Sequence, residues 1–417
     1  MRIVLAATVL ALAPLGAHAA DITVPAGFRV TVVYEGDGPA RHMAFNKRGD
    51  LYVSTRAANG AKPRGILALR DTDGDGRFDE ARRFSEVDGT GIRFHDGALY
   101  ATSATTLYRF RFQGGELVPS AAPEVIVSGM PTGGFANRPI AFDDKGDVFV
   151  TVGGGGNTCV DRSGPTPKPA DPCTELATRG GIWTYKADKV GQTHPADGQR
   201  FASGVRDMQA LDWSPLDRTL YAAMQGRNGA ANAGAKLYTA EDNEKGVAEE
   251  MHRVVHGSNL GWPYTHFDGR TMQRMKAPEY GGKPGDVVRD DAYSTPLAVF
   301  PPHSSPLDLV VYDGKRFPAA YRGGAFVAFQ GGSDGDRQQN GYNVWFVPRT
   351  PAGRFAKATV FADGFAGADR RPRGAEARPS AVAVSPAGAL YVMDSTKGRI
   401  WRIDYVGAGK AARVAAR

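Results

Sequence analysis

Four short stretches of the chain carry residues whose types and spacing could do chemistry. In DTDGDGRFDEAR (71–82), Asp71, Asp73 and Asp75 stand at alternate positions ahead of Gly76, and Asp79 follows at the ninth position. That is the first half of a calcium loop, in which side-chain oxygens at alternate positions surround one cation. The twelfth position holds Arg82 instead of the required Glu, so a hairpin of Asx turns is the competing reading. Arg206 and Asp207 lie together in RFASGVRDMQALDW (200–213). An arginine fork there suits bidentate capture of a carboxylate; a surface ion pair fits equally well. Gln225-Gly226-Arg227-Asn228-Gly229 follows the apolar run LYAAM. Such a turn exposes backbone carbonyls and lets a ligand approach, or it merely reverses the chain. HGSNLGWPY (256–264) and FPPHSSPLDL (300–309) put His, Trp and Tyr into Gly- and Pro-rich loops, with His303 in the second. Loop histidines and aromatics often line sites, although a lone histidine is more often structural. No nucleophile elbow, zinc-protease helix or P-loop is present. GGGG at 153–156 runs into Asn157 without a helix signal, so it is not a phosphate loop.

The elements that must position these residues repeat. A short alternating stretch, a Gly- or Asp-containing turn and an L-Y-V-like strand recur at 43–55, 92–103, 140–152, 211–224, 310–329 and 382–394. The turns favour tight antiparallel reversal. Each copy is followed by a second strand, at 65–71, 106–112, 181–187, 236–240, 343–348 and 399–405. Segments 28–36, 124–129 and 358–364 read as outer strands, and 244–255 as the one place for a turn or two of helix. Six such units predict an all-β chain, a six-bladed β-propeller with antiparallel blades and long inserted loops. Propellers bind ligands over the central channel, but the chemistry belongs to the site and not to the fold.

The composition agrees. Gly 53 and Pro 27 suit many turns, and 42% hydrophobic with 23% charged residues excludes wholesale disorder. The net charge of +7 is spread without a basic stripe, which argues against nucleic acid as a partner. Arg2, the apolar run Ile3 to Leu15 and the small-x-small site Ala17-His18-Ala19 predict a secretory signal over 1–19, leaving one propeller domain over 20–417. No other stretch is apolar enough to span a membrane. A periplasmic or secreted protein is expected, and in that setting the two cysteines, Cys159 and Cys173, predict a disulfide closing a polar, Pro-rich loop.

Taken together, PAGFRVTVVYEG, GIRFHDGALYATS, RPIAFDDKGDVFVTVGGGGN, FASGVRDMQALDW, HRVVHGSNLGWPY, HSSPLDLVVYDGKRFPAAYRGGAFVAF and RPSAVAVSPAGALYVMDSTKGRIWRI resemble the soluble pyrroloquinoline-quinone glucose/sorbosone dehydrogenases, nearest the sorbosone-dehydrogenase-like branch. The resemblance covers about residues 21–405. It implies an exported oxidoreductase that oxidises a sugar or related alcohol or aldehyde and passes electrons to an external acceptor. It implies pyrroloquinoline quinone and Ca2+ on one face of the propeller. By position it implies a cofactor set of Arg206, Asp207 (where the family usually has Asn), Gln225, Gly226, Arg227, His303, Arg337 and Arg378. Gly226 and Arg227 would meet the calcium through backbone carbonyls, with Arg227 standing where glucose dehydrogenases have Pro. One departure matters. The family's general-base histidine falls in a stretch that reads GGFANRPIAF (133–142) here, so Phe135 holds its place. Phe cannot accept a proton, and His303 and Asp207 are the candidates for that role. The alternative is a non-catalytic propeller that binds carbohydrate or an envelope partner.

Overall fold

The computed structural model describes residues 22–57, 61–165, 167–228, 239–332 and 337–407. The predicted leader at 1–19 therefore lies outside the described residues. Six antiparallel sheets form a ring, as the repeats predicted. Blade 1 runs outward through Ala40–Phe45, Leu51–Thr55, Ile66–Arg70 and Glu80–Phe84, and blade 2 through Ile92–His95, Ala98–Thr102, Leu107–Arg111 and Glu124–Ser128. Blade 3 has Ile140–Phe142, Asp147–Val152, Gly181–Lys186 and Gln199–Ser203; blade 4 has Asp207–Ser214, Thr219–Gln225, Glu249–Val254 and Ala298–Phe300. Blade 5 has Pro306–Val311, Ala325–Phe329, Asn343–Val347 and Thr359–Ala362. Blade 6 takes Pro379–Val384, Leu390–Asp394 and Ile400–Tyr405 from the C-terminal end of the chain. Its outer strand is Phe28–Tyr34, paired antiparallel with Phe28 opposite Tyr405 and Val30 opposite Ile403. The first and last long strands of the described residues thus share one sheet, which fastens the ring closed at blade 6.

Apolar residues fill the wedges between blades because each strand presents alternate side chains to its two faces. Between blades 5 and 6, Phe28, Phe317, Phe326 and Phe361 pack edge to face around 5 Å apart. The antiparallel order fixes what each end of the ring carries. Loops leading into inner strands and loops joining second to third strands share one end, which we call the mouth. The tight hairpins joining first to second strands share the other.

Two expectations about blade 4 need correction. Of the strand expected at 236–240, 236–238 lies outside the described residues, Thr239 caps a helix over Ala240–Lys245, and the strand paired with Thr219–Gln225 is Glu249–Val254. The helix begins where Thr239 and Asp242 exchange side-chain to backbone bonds in a capping box. The helical reading of 244–255 fails beyond Lys245, because Met251 and Val254 pack between the neighbouring blades as strand residues.

The predicted disulfide is present, with Cys159 and Cys173 bonded and their Cα atoms 5.8 Å apart. It pins the loop between the second and third strands of blade 3. The pair packs with Ala170 and Trp262, and the Tyr264 hydroxyl accepts from the Cys173 N–H at 2.7 Å. Closing a loop of this length is worth about 3 kcal/mol in the chain-entropy model. A Cys159→Ser/Cys173→Ser variant should lose about that much stability by urea denaturation. A loss under about 1 kcal/mol would mean that packing against Trp262 holds the loop unaided.

Candidate functional site

The mouth is a ring of polar residues at the start of the inner strands. Arg41, Thr90, Asn137, Asp207, Ser305 and Arg378 stand at or just before these starts, one from each blade. Hydrogen bonds stitch part of the ring together across blades. The Thr90 hydroxyl meets Asn137 Oδ1 at 3.2 Å, and Asn137 Nδ2 donates to Asp207 Oδ1 at 3.4 Å. Gln209 Nε2 reaches Asp207 Oδ2 at 3.5 Å. Burial pushes the Asp207 carboxyl above the ordinary range, against the pull of Arg206, Asn137 and Gln209.

Arg206 is buried beside it. Its Nε donates to Asn157 Oδ1 at 2.8 Å, and its guanidinium lies over the Phe135 ring, 4.4 Å from the centroid. Phe135 therefore faces the mouth site, against an arginine. The approach is tight: a Cβ on Gly153 would come within 2.8 Å of both Phe135 Cβ and the Arg206 carbonyl oxygen. Asn157 sits two residues before Cys159, so the disulfide loop anchors the partner of Arg206. Asn157 also donates to the Asn228 carbonyl at 2.8 Å.

The Gln225–Asn228 turn closes the next side. Gly226 N–H donates to the buried Glu249 carboxylate at 2.7 Å, whose other oxygen accepts from Ser305 N–H at 3.2 Å. Glu249 thus ties the glycine turn of blade 4 to the loop entering blade 5. Burial raises its pKa to about 7. A Cβ at position 226 would lie 2.4 Å from the Ala248 carbonyl oxygen, so the turn requires glycine. Gln225 Nε2 is buried and has no hydrogen-bond partner among the described residues, a donor left for a ligand. His303 follows, its Nδ1 3.0 Å from Asn228 Oδ1. His303 and Ser305 have φ of 57° and 59°, left-handed values that non-glycine residues avoid and that cluster at functional sites. Arg378 completes this arc. Its Nε donates to the Gln330 carbonyl at 3.1 Å and its Nη2 to the Gly331 and Gly332 carbonyls at 2.9 Å.

The structure thus brings Arg206, Asp207, Gln225, Gly226, His303 and Arg378 to one mouth. Three sequence assignments stand elsewhere or are committed elsewhere. The Arg227 guanidinium is buried in a two-pronged ion pair with Glu279, so its charge is committed to that pair. Arg337 is exposed and pairs with Glu244 at 3.3 Å. Asp71, Asp73 and Asp75 do cluster, with ligand atoms within 4.8 Å, but on the hairpin between the third and fourth strands of blade 1, at the opposite end of the ring. Their oxygens accept backbone N–H groups of Gly74, Gly76, Asp75 and Arg77, while Asp79 turns back to Thr72. These bonds make the loop a run of Asx turns, with three carboxylates still grouped at one point.

Sequence reasoning missed Arg41, Asn137, Asn157 and Glu249. Arg41 is mostly withdrawn from solvent; burial and the nearby Arg56 and Arg378 charges lower its pKa to about 10. A cavity of about 1050 Å3 opens at the opposite end, lined by hairpin turns that include Lys47, Asp96, Lys315 and Pro386. Between the two ends Arg93 reaches across the channel from blade 2 to Asp308 of blade 5 at 3.1 Å. Size alone favours that cavity, but the convergent buried charges and the unpartnered Gln225 amide nitrogen lie at the mouth, which makes the mouth the candidate site.

Fold and mouth together define a class, the six-bladed β-propellers with a polar site over one end of the channel. The chain belongs to the TrAA12-like family, whose model matches residues 22–406. It is similar to the pyranose dehydrogenase PQQ domain of Coprinopsis cinerea, in its holo form, with a TM-score of 0.72, 16% identity, and coverage of 92% of this chain and 97% of that one. It is similar to the Carbohydrate-Active Enzymes Family AA12 protein of Trichoderma reesei, with a TM-score of 0.76, 15% identity, and coverage of 94% and 100%. The PQQ-bound aldose sugar dehydrogenase of Streptomyces coelicolor follows at a TM-score of 0.58, 18% identity, and coverage of 92% and 99%. At these identities the likeness is one of fold. An uncharacterized Synechocystis protein is 23% identical over 190 residues, a match spanning 44% of this chain and 40% of that protein's length.

Proposed function

We infer that the mouth binds pyrroloquinoline quinone with Ca2+ and that the protein oxidises a sugar or related alcohol or aldehyde, handing electrons to an external acceptor. The observation that carries this reading is the arginine set. Arg206 and Arg378, from blades 4 and 6, converge on the mouth, Arg206 bonding to Asn157 and Arg378 to the Gln330, Gly331 and Gly332 carbonyls, and two such cations suit an anion such as a tricarboxylate cofactor. Gln225 Nε2 supplies a neutral donor on the same side. For calcium, the backbone carbonyls of Gly226 and Arg227 are oxygen donors of the right chemistry. The Arg227–Glu279 pair neutralises one cation that would otherwise repel the metal there.

Bound at this mouth, the quinone supplies the two-electron acceptor that alcohol oxidation needs. The chain must supply the base. Asp207 is the better placed of the two candidates. It is buried beside Arg206, and burial has raised its proton affinity toward the range a working base needs. Asn137 and Gln209 hold its two oxygens in place. His303 has one ring nitrogen engaged by Asn228 and borders the other side of the mouth. Phe135 closes the site against water beside Arg206. In this reading residues 1–19 direct export, 20–417 act as one domain, and the protein works outside the cytoplasm. The disulfide suits that setting, and no helix among the described residues is long and apolar enough to cross a membrane.

The test is titration of purified protein with quinone and calcium, followed by absorbance and by dye reduction over a panel of sugars. The expected result is saturable, calcium-dependent quinone binding and quinone-dependent dye reduction with at least one sugar. Failure to bind quinone at any calcium concentration would remove the enzyme reading and leave a binding propeller.

A further inference from the structure

Glu249 opens the third strand of blade 4 and is only 2% exposed. Among the described residues its bonds come from backbone N–H groups and not from a cation. Gly226 N–H donates to one oxygen at 2.7 Å and Ser305 N–H to the other at 3.2 Å, and the Ser304 N–H adds a further bond. Its neighbour Glu250 is equally buried but pairs with Arg274 at 2.9 Å. A buried carboxylate is costly unless it is compensated, and an apolar residue would fill the same space without that cost. What a carboxylate supplies here is an acceptor on each of two oxygens; a glutamine has an acceptor on one.

Both donors belong to parts of the mouth that must be held. The peptide group between Gln225 and Gly226 is gripped at its two ends: Arg206 Nη1 donates to the Gln225 carbonyl at 3.4 Å, and the Gly226 N–H goes to Glu249. With that plane fixed, Arg227 held by Glu279 and Asn228 held by Asn157, the carbonyls of Gly226 and Arg227 have little freedom. On the other side, His303 and Ser305 keep their left-handed φ values, which persist only where the surroundings over-determine them. The bond from Ser305 to Glu249 is part of that constraint. The loop passes it on: the Ser304 and Ser305 carbonyls accept from the Gly331 and Gln330 N–H groups at 2.8 and 3.0 Å, and the carbonyls of Gln330 and Gly331 hold Arg378. One buried carboxylate thus lies behind both the glycine turn and the loop that carries His303.

We propose that Glu249 is a positioning residue of the mouth: its carboxylate locks the 225–228 turn to the 303–305 loop, so that the two open and close as one unit and a cation held at the turn also orders the His303 side. The cation half rests on the calcium reading above; the lock itself does not. In this role Glu249 touches no ligand and transfers no proton. It acts through the backbone groups that it holds.

The test compares the full-length wild type with Glu249→Gln, which keeps the size of the side chain and removes one of its two acceptors. Amide hydrogen exchange of the metal-free proteins, read by mass spectrometry, follows the peptides that carry 225–228 and 303–305. In the wild type the two segments should show matched protection. In Glu249→Gln both should lose protection by about 10- to 100-fold, the worth of a bond to a charged acceptor, while the other blades and the melting temperature hold. Calorimetric titration with Ca2+ in the presence of pyrroloquinoline quinone should show binding weakened by about 10-fold or more in the variant. Adding Ca2+ and quinone to the wild type should slow exchange at 303–305 as well as at 225–228. Lost protection in one segment only, or in neither, overturns the proposal, as does unchanged calcium affinity in the variant beside a wild type that binds calcium. A general loss of protection with a fall in melting temperature also overturns it, because Glu249 would then merely support the fold. Should the variant not fold, the wild type decides: matched protection of the two segments supports the lock, and independent exchange overturns it. Lost protection of both segments in the variant, with a wild type that binds no calcium, removes the calcium reading and leaves the lock standing.

Discussion

Asp207→Asn should reduce quinone-dependent sugar oxidation by about 10²–10⁴-fold in kcat, the usual worth of a general base, while quinone affinity changes little. The substitution keeps the shape of the side chain and its contacts with Asn137 and Gln209, so the loss isolates proton acceptance. It also restores the residue type that the resembled dehydrogenases carry at this position, without the histidine that accompanies it there. A Phe135→His/Asp207→Asn variant should therefore regain activity that Asp207→Asn alone lacks. The pH profile follows from the same group. Burial raises the Asp207 pKa above its ordinary 3.8, and the base works only when ionised. Activity should fall as pH drops through that raised value, so the acid limb lies higher than for an exposed aspartate and moves in Phe135→His/Asp207→Asn. Steady-state dye reduction between about pH 4 and pH 9 reads this limb. Undiminished kcat in Asp207→Asn removes Asp207 as the base and turns attention to His303.

The largest effect on stability is expected at Glu279. Arg227 and Glu279 have side chains only 5% and 8% exposed and bond to each other through both prongs. Glu279→Ala strands a buried guanidinium and should cost about 3–5 kcal/mol, measured from urea unfolding. Replacing both partners by apolar residues of similar size, as in Arg227→Met/Glu279→Leu, should recover most of that loss, because the penalty comes from the unpaired charge and not from the missing bond. Glu279 also accepts from the Thr158 hydroxyl at 3.0 Å, so the same variant loosens the loop that carries Asn157. Calcium affinity should fall in Glu279→Ala, with the Arg227 charge uncovered beside the Gly226 turn. A Glu279→Ala protein with wild-type stability would mean that the pair is solvated in solution.

Much of this architecture is written locally in the chain. Alternation, turn residues and the repeated hairpins are properties of ten to fifteen neighbouring residues, so all six inner hairpins were legible, as was the pairing of Cys159 with Cys173. Where local signals competed, they misled: the charged run 244–255 reads as helical, yet Met251 and Val254 are held as strand residues by the blades on either side. The polar residues of the mouth were legible only in part. The motifs around Arg206, Gln225 and His303 are local, but what each does depends on partners far away in sequence. Arg227 belongs to Glu279, Glu249 joins Gly226 to Ser305, and Asn157 holds Arg206. Such pairings arise when the ring closes and brings the starts of six strands to one end. The same closure carries the Asp71–Asp75 loop to the far end, turns Arg337 out to Glu244, and sets Arg41 near both Arg378 and Asp207 at the mouth. Periodicity tells which residues are buried; which charges meet is decided by the packing of blades that the sequence holds far apart.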